Sequence, residues 1–377
     1  MKSMYKSAGL VILVLSSQLA QAVPFALEGR SLAMGNASVA TADIATAAFA
    51  NPAMLAYQES SDDFALLLPA VGVYLDDSDG MLDLIDQYQS AEAANNDSAQ
   101  LAAVQSLIGK AITPQAAIAT AIGISGETYS FAVSARADVL FSGGIFNPAQ
   151  TAAELDDPTK NLLTLVGVGT REVGVSFATN MDLMGRKFSV GVTPKVVNVE
   201  LLTYTESLST VDTSASGLLD ENNIVDLGSF TTLDAGAVLA LSDSIQLGLV
   251  VKNLLPEEIR QGLATVNFDT QARAGLAYRG DFFRLGADLD LTENDSVLSL
   301  IPNVKSRMLS LGAEFNAFDF AQLRVGMQKN LASDIPDGAK NNLLTAGIGF
   351  WFGFNLDVTA AVANDVLGVF VQTGFRF

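Results

Sequence analysis

Residues 129–139 read Tyr129-Ser130-Phe131-Ala132-Val133-Ser134-Ala135-Arg136-Ala137-Asp138-Val139, with Tyr, Phe, Val or Ala at every odd position. Ser, Ala, Arg and Asp take the even positions. Successive side chains of a strand point to opposite faces, so this period of two describes a strand with one apolar and one polar face. The same pattern returns in 309–317, where Leu309, Leu311, Ala313, Phe315 and Ala317 alternate with Ser310, Gly312, Glu314 and Asn316. It returns again in 321–328, with Ala321, Leu323, Val325 and Met327 set against Gln322, Arg324, Gly326 and Gln328.

Similar runs occupy 172–180, 187–201, 230–241, 245–252, 268–279, 282–291, 343–353, 355–363 and 367–377. Less regular ones lie at 63–73, 116–124 and 162–169, which brings the tally to fifteen. Leu162–Gly169 alternates worst of these and is the one to doubt as a membrane strand. Tight turns such as Arg279-Gly280-Asp281 and Asn316–Asp319 are interspersed with long polar loops over 203–229 and 292–305. Short turns alternating with long loops predict an up-and-down antiparallel sheet.

A soluble sandwich shows the same alternation, so the burial of each face must separate the two. The polar faces carry charges of both signs, among them Arg136, Asp138, Glu172, Lys195, Arg273, Asp288, Glu314 and Arg324, interleaved with Gly, Ser and Gln. The apolar faces are Leu, Val, Phe and Ala. Runs of about ten residues match the 9–11 that a tilted strand needs to cross a bilayer. Of the 377 residues, 49% are apolar and 16% charged, and mean hydropathy is +0.33. Yet beyond the first 25 residues no charge-free stretch exceeds sixteen, too short for a spanning helix. Only helices and closed barrels satisfy every backbone group in lipid. The expectation is therefore an all-β transmembrane barrel with lipid outside and a polar lumen.

The ends of the chain agree with export to an outer membrane. Lys2 and Lys6 precede the apolar run Ala8–Leu15, and Ala20-Gln21-Ala22 supplies a cleavage site of small residues. This predicts a signal peptide over 1–22, removed before Val23. The last strand sets Leu367, Val369, Val371, Thr373, Phe375 and Phe377 on one face. An apolar face that ends on a terminal aromatic resembles the sorting signal read by the outer-membrane barrel assembly machinery, with Phe375 and Phe377 as its carriers. Phe350, Trp351, Phe352 and Phe354 cluster as an interfacial aromatic girdle would.

Absences restrict the chemistry. With no His and no Cys, imidazole catalysis, thiolate nucleophiles, disulfides and His or thiolate metal sites are excluded. The balance of 21 Lys and Arg against 41 Asp and Glu, a net −20, argues against a nucleic-acid partner. No cofactor is expected and no metal site is assigned. Asp76-Asp77-Ser78-Asp79-Gly80 lacks the spacing and the terminal Glu of a calcium loop, and reads as a solvated acidic turn. An enzyme is the least favoured class.

Residues 23–60 do not alternate. The string Gly29-Arg30-Ser31-Leu32-Ala33-Met34-Gly35-Asn36-Ala37, Asp43 and the triplet Asn51-Pro52-Ala53 resemble the N-terminal plug of FadL-type long-chain fatty-acid transporters. They are closer still to the TraF-like outer-membrane proteins named for conjugal transfer, as is Val166–Asn180 with Arg171-Glu172-Val173-Gly174-Val175-Ser176. The resemblance implies a 14-stranded barrel occluded by a lumenal hatch over 23–60, followed by the barrel over 61–377. The plasmid-encoded TraF of the conjugation system resembles a thioredoxin-like periplasmic protein, and a chain without Cys departs from that pattern. The glycines at 29 and 35 suit tight turns, and Ala37–Ala50 suits a small helix inside the lumen.

Met81–Ala111 carries apolar residues at helical spacing, divided at Asn95–Ser98, and predicts a helical hairpin with Ser98 as N-cap, in an outer loop where it could shelter a ligand groove or act as a packed lid. Surplus acid on such loops could bridge divalent cations to lipopolysaccharide phosphates. The functional expectation is passive uptake of hydrophobic or amphipathic small molecules such as long-chain fatty acids. In that reading Phe25, Leu27, Leu32 and Met34 contact or gate the ligand, and Asn51 and Pro52, which mark a turn of the hatch, are further gating candidates. The rivals are a closed barrel serving structure, envelope assembly or conjugation, and a general diffusion porin.

Overall fold

A computed structural model of the chain describes residues 28–57, 62–77, 79–211, 223–261, 264–295, 305–318, 320–333, 342–363 and 366–377. The expected signal peptide and the candidates Phe25 and Leu27 lie outside the described residues.

The strands in chain order are β1 Phe64–Asp76, β2 Thr113–Ile124, β3 Tyr129–Phe146, β4 Leu162–Leu183, β5 Arg186–Ser207, β6 Ile224–Ala240 and β7 Ile245–Lys252. A separate two-stranded hairpin follows, β8 Glu257–Gln261 and β9 Ala264–Phe268. Then come β10 Gln271–Arg279, β11 Phe283–Asp290, β12 Met308–Phe318, β13 Ala321–Asn330, β14 Leu343–Trp351, β15 Asn355–Ala363 and β16 Val366–Arg376. Fourteen of them, all except β8 and β9, form one closed antiparallel barrel in which β16 returns to pair with β1, for example Val73 opposite Val369. Closure leaves no strand edge, which lipid demands.

Two alternating runs of the sequence merge here. The stretches 162–169 and 172–180 are a single 22-residue strand, β4, paired along its length with β3 and β5. That merger turns fifteen runs into fourteen strands, an even number. The run expected from 268 begins at Gln271, and the residues before it belong to the β8–β9 hairpin.

Outward positions are apolar and exposed: Val133, Val173, Leu276, Leu323 and Val325 are each between 47% and 58% accessible. Large apolar side chains exposed along every barrel strand are a liability in water and the expected surface in a bilayer. Inward positions are mostly buried, and the polar side chains are concentrated there, many of them paired. Lys195 lies 3.0 Å from Asp234 and 3.1 Å from Glu172, and Arg324 lies 2.7 Å from Glu314 and also pairs with Asp357. A buried charge is tolerated only when paired in this way.

Short turns and long loops sort to opposite ends. At the short-turn end Met184 and Gly185 have φ of 55° and 77°, as a two-residue hairpin between right-twisted strands requires, and Gly185 N–H donates to Asp182 at 2.7 Å. Around that rim runs an arc of neighbouring rings, Phe320, Phe352, Phe354, Phe375, Phe377 and Phe64, stacked except where Phe354 tilts against both of its neighbours. The aromatic cluster read from the sequence and the C-terminal pair thus occupy one rim. In β1 the ladder shifts register against both neighbours around Leu68–Pro69, which are both exposed; a bulge accommodates a residue that has no N–H to donate.

At the long-loop end stand α3, Met81–Ala93, and α4, Asp97–Leu107. Asn96, not Ser98, caps α4, accepting from Ala99 N–H at 3.1 Å, because Ser98 already lies inside the first turn. The acidic turn is used for hydrogen bonds. Asp77 accepts the N–H groups of Met81 and Leu82 at 2.6 and 3.2 Å, and Asp79 accepts that of Ala111 at 3.0 Å. The two helices bury Met81, Ile85, Tyr88 and Leu107 on Phe141, Leu163, Leu165, Leu202 and Tyr204. Those strand residues have the parity of the lipid-facing side, continued past the apolar belt. The helices therefore cover the outer face of the β3–β5 extension rather than the lumen.

Replacing Val325 in the middle of β13 by Arg is expected to cost about 2–4 kcal/mol in a bilayer. Urea unfolding from lipid vesicles measures it, and an unchanged midpoint would argue against lipid contact at that face.

Candidate functional site

The segment 28–57 lies inside the barrel, and every residue in it is buried except Asp43, which is intermediate. It does not cross the lumen as a rod. It follows the wall around the inside, meeting one strand after another. Gly29 C=O accepts from Thr359 of β15 at 2.7 Å, and Ala33 C=O accepts from Thr345 of β14 at 3.2 Å. Ser38 and Val39 N–H both donate to the Asp288 carboxylate of β11, at 2.7 and 2.9 Å. Phe49 C=O accepts from Lys252 of β7 at 2.5 Å, Leu55 C=O from Ser125 at 2.9 Å, and Ala56 C=O from Asn180 of β4 at 3.2 Å. The polar lumen thus supplies the partners that an irregular, buried backbone needs.

Local structure explains why the segment stays irregular. Short helices form only at Gly29–Ala33, α1, and Ala47–Ala50, α2, followed by a 3₁₀ turn at Pro52–Leu55. The longer helix expected over Ala37–Ala50 is absent because Ser38, Val39 and Ala40 give their backbone groups to the wall, with Gln246 donating to Ala40 C=O. Asn36 and Gly35 take φ of 59° and 63°, which stops α1.

Close approach is set by inward-facing glycines on successive strands. Gly286, Gly312 and Gly326 lie directly opposite one another across β11, β12 and β13. A Cβ on Gly312 would stand 2.3 Å from Met34 O, and one on Gly326 would stand 2.0 Å from Gly35 N. At β5 and β6 a Cβ on Gly191 or Gly236 would strike Pro52 or Asn51. The hatch backbone rests on bare peptide wall.

One ionic knot adds to these bonds. Arg30 of α1 reaches Glu314 of β12 at 3.2 Å and Asp43 of the hatch at 3.9 Å, and donates to Thr41 C=O at 2.8 Å. Burial works to raise the Asp43 carboxyl, but Arg30, then Arg376 and the hydrogen bonds from Thr46, outweigh it and hold Asp43 below the ordinary range. Burial pushes Glu28 up despite the hydrogen bond from Ser31.

The candidates from the sequence are distributed unevenly. Leu32 points into an apolar lumenal cluster with Tyr74, Ala117, Leu343, Ala361, Val366 and Phe370, on the loop side of the hatch. Met34 is fully buried on the glycine wall. Asn51 accepts from Ala53 N–H at 3.1 Å and donates to Val39 C=O at 2.9 Å, tying two parts of the hatch together, and Pro52 packs on Gly191 and Gly236. Sequence reasoning missed Asp288, Lys252, Thr345, Thr359 and the glycine rows. In-register glycines on the polar faces of successive runs were the available signal. A second apolar patch forms where Val266 and Phe268 of β9 fold onto the inward residues Val197, Val199 and Leu201 of β5. The β8–β9 hairpin thereby closes part of the mouth from within.

The family model for F plasmid transfer operon, TraF, protein matches residues 48–290, more than half of the chain. The chain belongs to this TraF family. No curated protein sequence matches it. Its fold is similar to those of several solved barrels. The Pseudomonas aeruginosa FadL homologue matches at a TM-score of 0.56 and 13% identity over 94% of this chain and 99% of that one. The Ralstonia pickettii toluene transporter TbuX matches at 0.53 and 15% over 93% and 98%, and the P. putida toluene transporter TodX at 0.54 and 14% over 93% and 98%. This member of the TraF family thus has a FadL-type barrel.

Two outcomes are expected. Gly326→Val should dislodge residues 33–36 from the wall, so that limited proteolysis cuts the hatch in a barrel that still migrates as folded; an uncut hatch would contradict the close packing. Asp43, held low, contributes stability above the ordinary Asp value of 3.8 and loses it as pH falls through its lower folded value. Glu28, held high, acts in the opposite sense and loses its contribution as pH rises. Conductance of the reconstituted barrel should therefore rise on acidification below 3.8, and Asp43→Asn should show part of that rise at neutral pH.

Proposed function

We propose that this protein is an outer-membrane channel for hydrophobic or amphipathic small molecules, with the 28–57 hatch as its gate. One observation carries the reading: a closed, lipid-facing barrel holds an N-terminal segment that is buried at every residue but Asp43 and whose Leu32 completes an apolar patch on the loop side. Residues 42–57 of the hatch share an apolar core with wall residues such as Leu67, Ala119, Ala178 and Val238. Residues 29–41, by contrast, are held largely by separate hydrogen bonds to the wall, each worth about 1 kcal/mol net, and it is these that can be exchanged for others. Solved barrels of the same fold are described as toluene transporters and a FadL homologue, which supports transport rather than catalysis. Toluene-like hydrocarbons and long-chain fatty acids are both candidate cargoes.

The location follows from the same reading. A signal peptide cut after Ala22 would export the chain, and Phe375 and Phe377, stacked 6.5 Å apart on the short-turn rim, would present the C-terminal strand to the assembly machinery. The short-turn rim then faces the periplasm. The long loops, rich in Asp and Glu, face lipopolysaccharide.

A second reading is a permanently closed barrel with an envelope or conjugation-associated role. The burial of the whole hatch and the family's description as a transfer-operon protein favour it. Deleting residues 25–36 separates the two. Faster entry of labelled toluene or labelled fatty acid into cells carrying the shortened barrel supports a gate. Unchanged uptake together with unchanged conductance supports the closed scaffold.

A further inference from the structure

Among the described residues, the apolar lumenal patch beside Leu32 contains one side-chain hydroxyl with no hydrogen-bond partner. Tyr74 is 7% exposed, and its hydroxyl is buried without a hydrogen-bond partner. Its ring lies against Gly368, where an added Cβ would stand 2.9 Å away, and the neighbouring Phe370 ring covers Gly72. A buried hydroxyl left unpaired is costly, and in an otherwise apolar patch it offers a hydrogen bond to an acceptor brought in by a ligand.

The charges around the patch select what can arrive. Its walls are β1, β2, β14, β15 and β16, which hold no Lys and whose only Arg is Arg376, at the short-turn rim. The hatch cation Arg30 is committed to Glu314, Asp43 and Thr41 C=O. Lys110, just before β2, donates instead to Asp79 C=O at 2.8 Å. The charge that does share the inward face with Tyr74 is negative: Asp76, two residues on and 5% exposed. A carboxylate entering here would lose its water and, among the described residues of these walls, meet no cation that is not already committed elsewhere, which disfavours the ionised form.

We propose that Tyr74 is the polar anchor of a lumenal binding site for an uncharged apolar molecule that accepts one hydrogen bond, such as an ester or a ketone, and that the site rejects carboxylates. Leu32 fills the site in the closed hatch and vacates it when the hatch moves. The assignment rests on the channel reading above and narrows its cargo from hydrophobic molecules in general to neutral ones, with those that carry a single acceptor favoured.

The test is uptake of three labelled probes of similar size, methyl decanoate, decanoate and undecane, by cells carrying the full chain in the outer membrane, against cells without it. Methyl decanoate is expected to enter about tenfold faster than decanoate at neutral pH. Tyr74→Phe removes only the hydroxyl, and is expected to slow methyl decanoate about three- to tenfold, the worth of one hydrogen bond, while leaving undecane unchanged. Asp76→Asn is expected to narrow the discrimination against decanoate. Protein-dependent entry of the probes with no change for either variant, or an equal loss of ester and alkane in Tyr74→Phe, overturns the site and leaves the channel. No protein-dependent entry of any probe overturns the channel reading and the site with it.

Discussion

Every backbone N–H and C=O that faces lipid must find its partner within the protein, because the bilayer core offers none. That requirement decides the architecture. Fourteen strands satisfy it only by closing β16 onto β1, and closure creates an interior that half of each strand's residues must line. Because the outer half is apolar, the inner half collects the polar and charged residues, and they must pair with one another or with something placed among them.

The hatch is what is placed among them. Its irregular backbone would be untenable in an apolar core, since each unpaired buried amide costs more than a typical hydrogen bond returns. In this lumen the wall answers it group by group, through Asp288, Thr345, Thr359, Lys252 and Asn180. Glycines on β11, β12 and β13 let it lie directly on the sheet. Contacts of this kind hold residues 29–41, while residues 42–57 also share an apolar core with Leu67, Ala119, Ala178 and Val238 of the wall. The apolar patch around Leu32 of α1 and Tyr74 lies on the loop side of the hatch.

Much of the fold was legible along the chain because a barrel strand advertises itself locally. Period-two alternation over ten residues marks both the strand and its lipid face. The one miscount came from β4, whose outer half loses the alternation since α3 and α4 bury its outward side there. The β8–β9 hairpin escaped notice for a related reason: it packs Val266 and Phe268 inward against β5 and shows no lipid-facing period. The hatch was recognisable by its lack of alternation and its glycines. The roles of its residues were less so, since Leu32 reaches the apolar patch while Met34, Asn51 and Pro52 lie on the wall.

By itself the sequence determined an all-β chain with one apolar and one polar face, a non-alternating segment ahead of the strands, and the exclusion of His and Cys chemistry. Those properties reside in composition and in short-range period. The tertiary structure alone decided which groups meet inside: Ser38 with Asp288, 250 positions apart, Gly29 with Thr359, and Leu32 with Tyr74 and Phe370. Lumenal neighbours are set by strand register and by the closure of the barrel, and neither leaves a mark in the local pattern of residues.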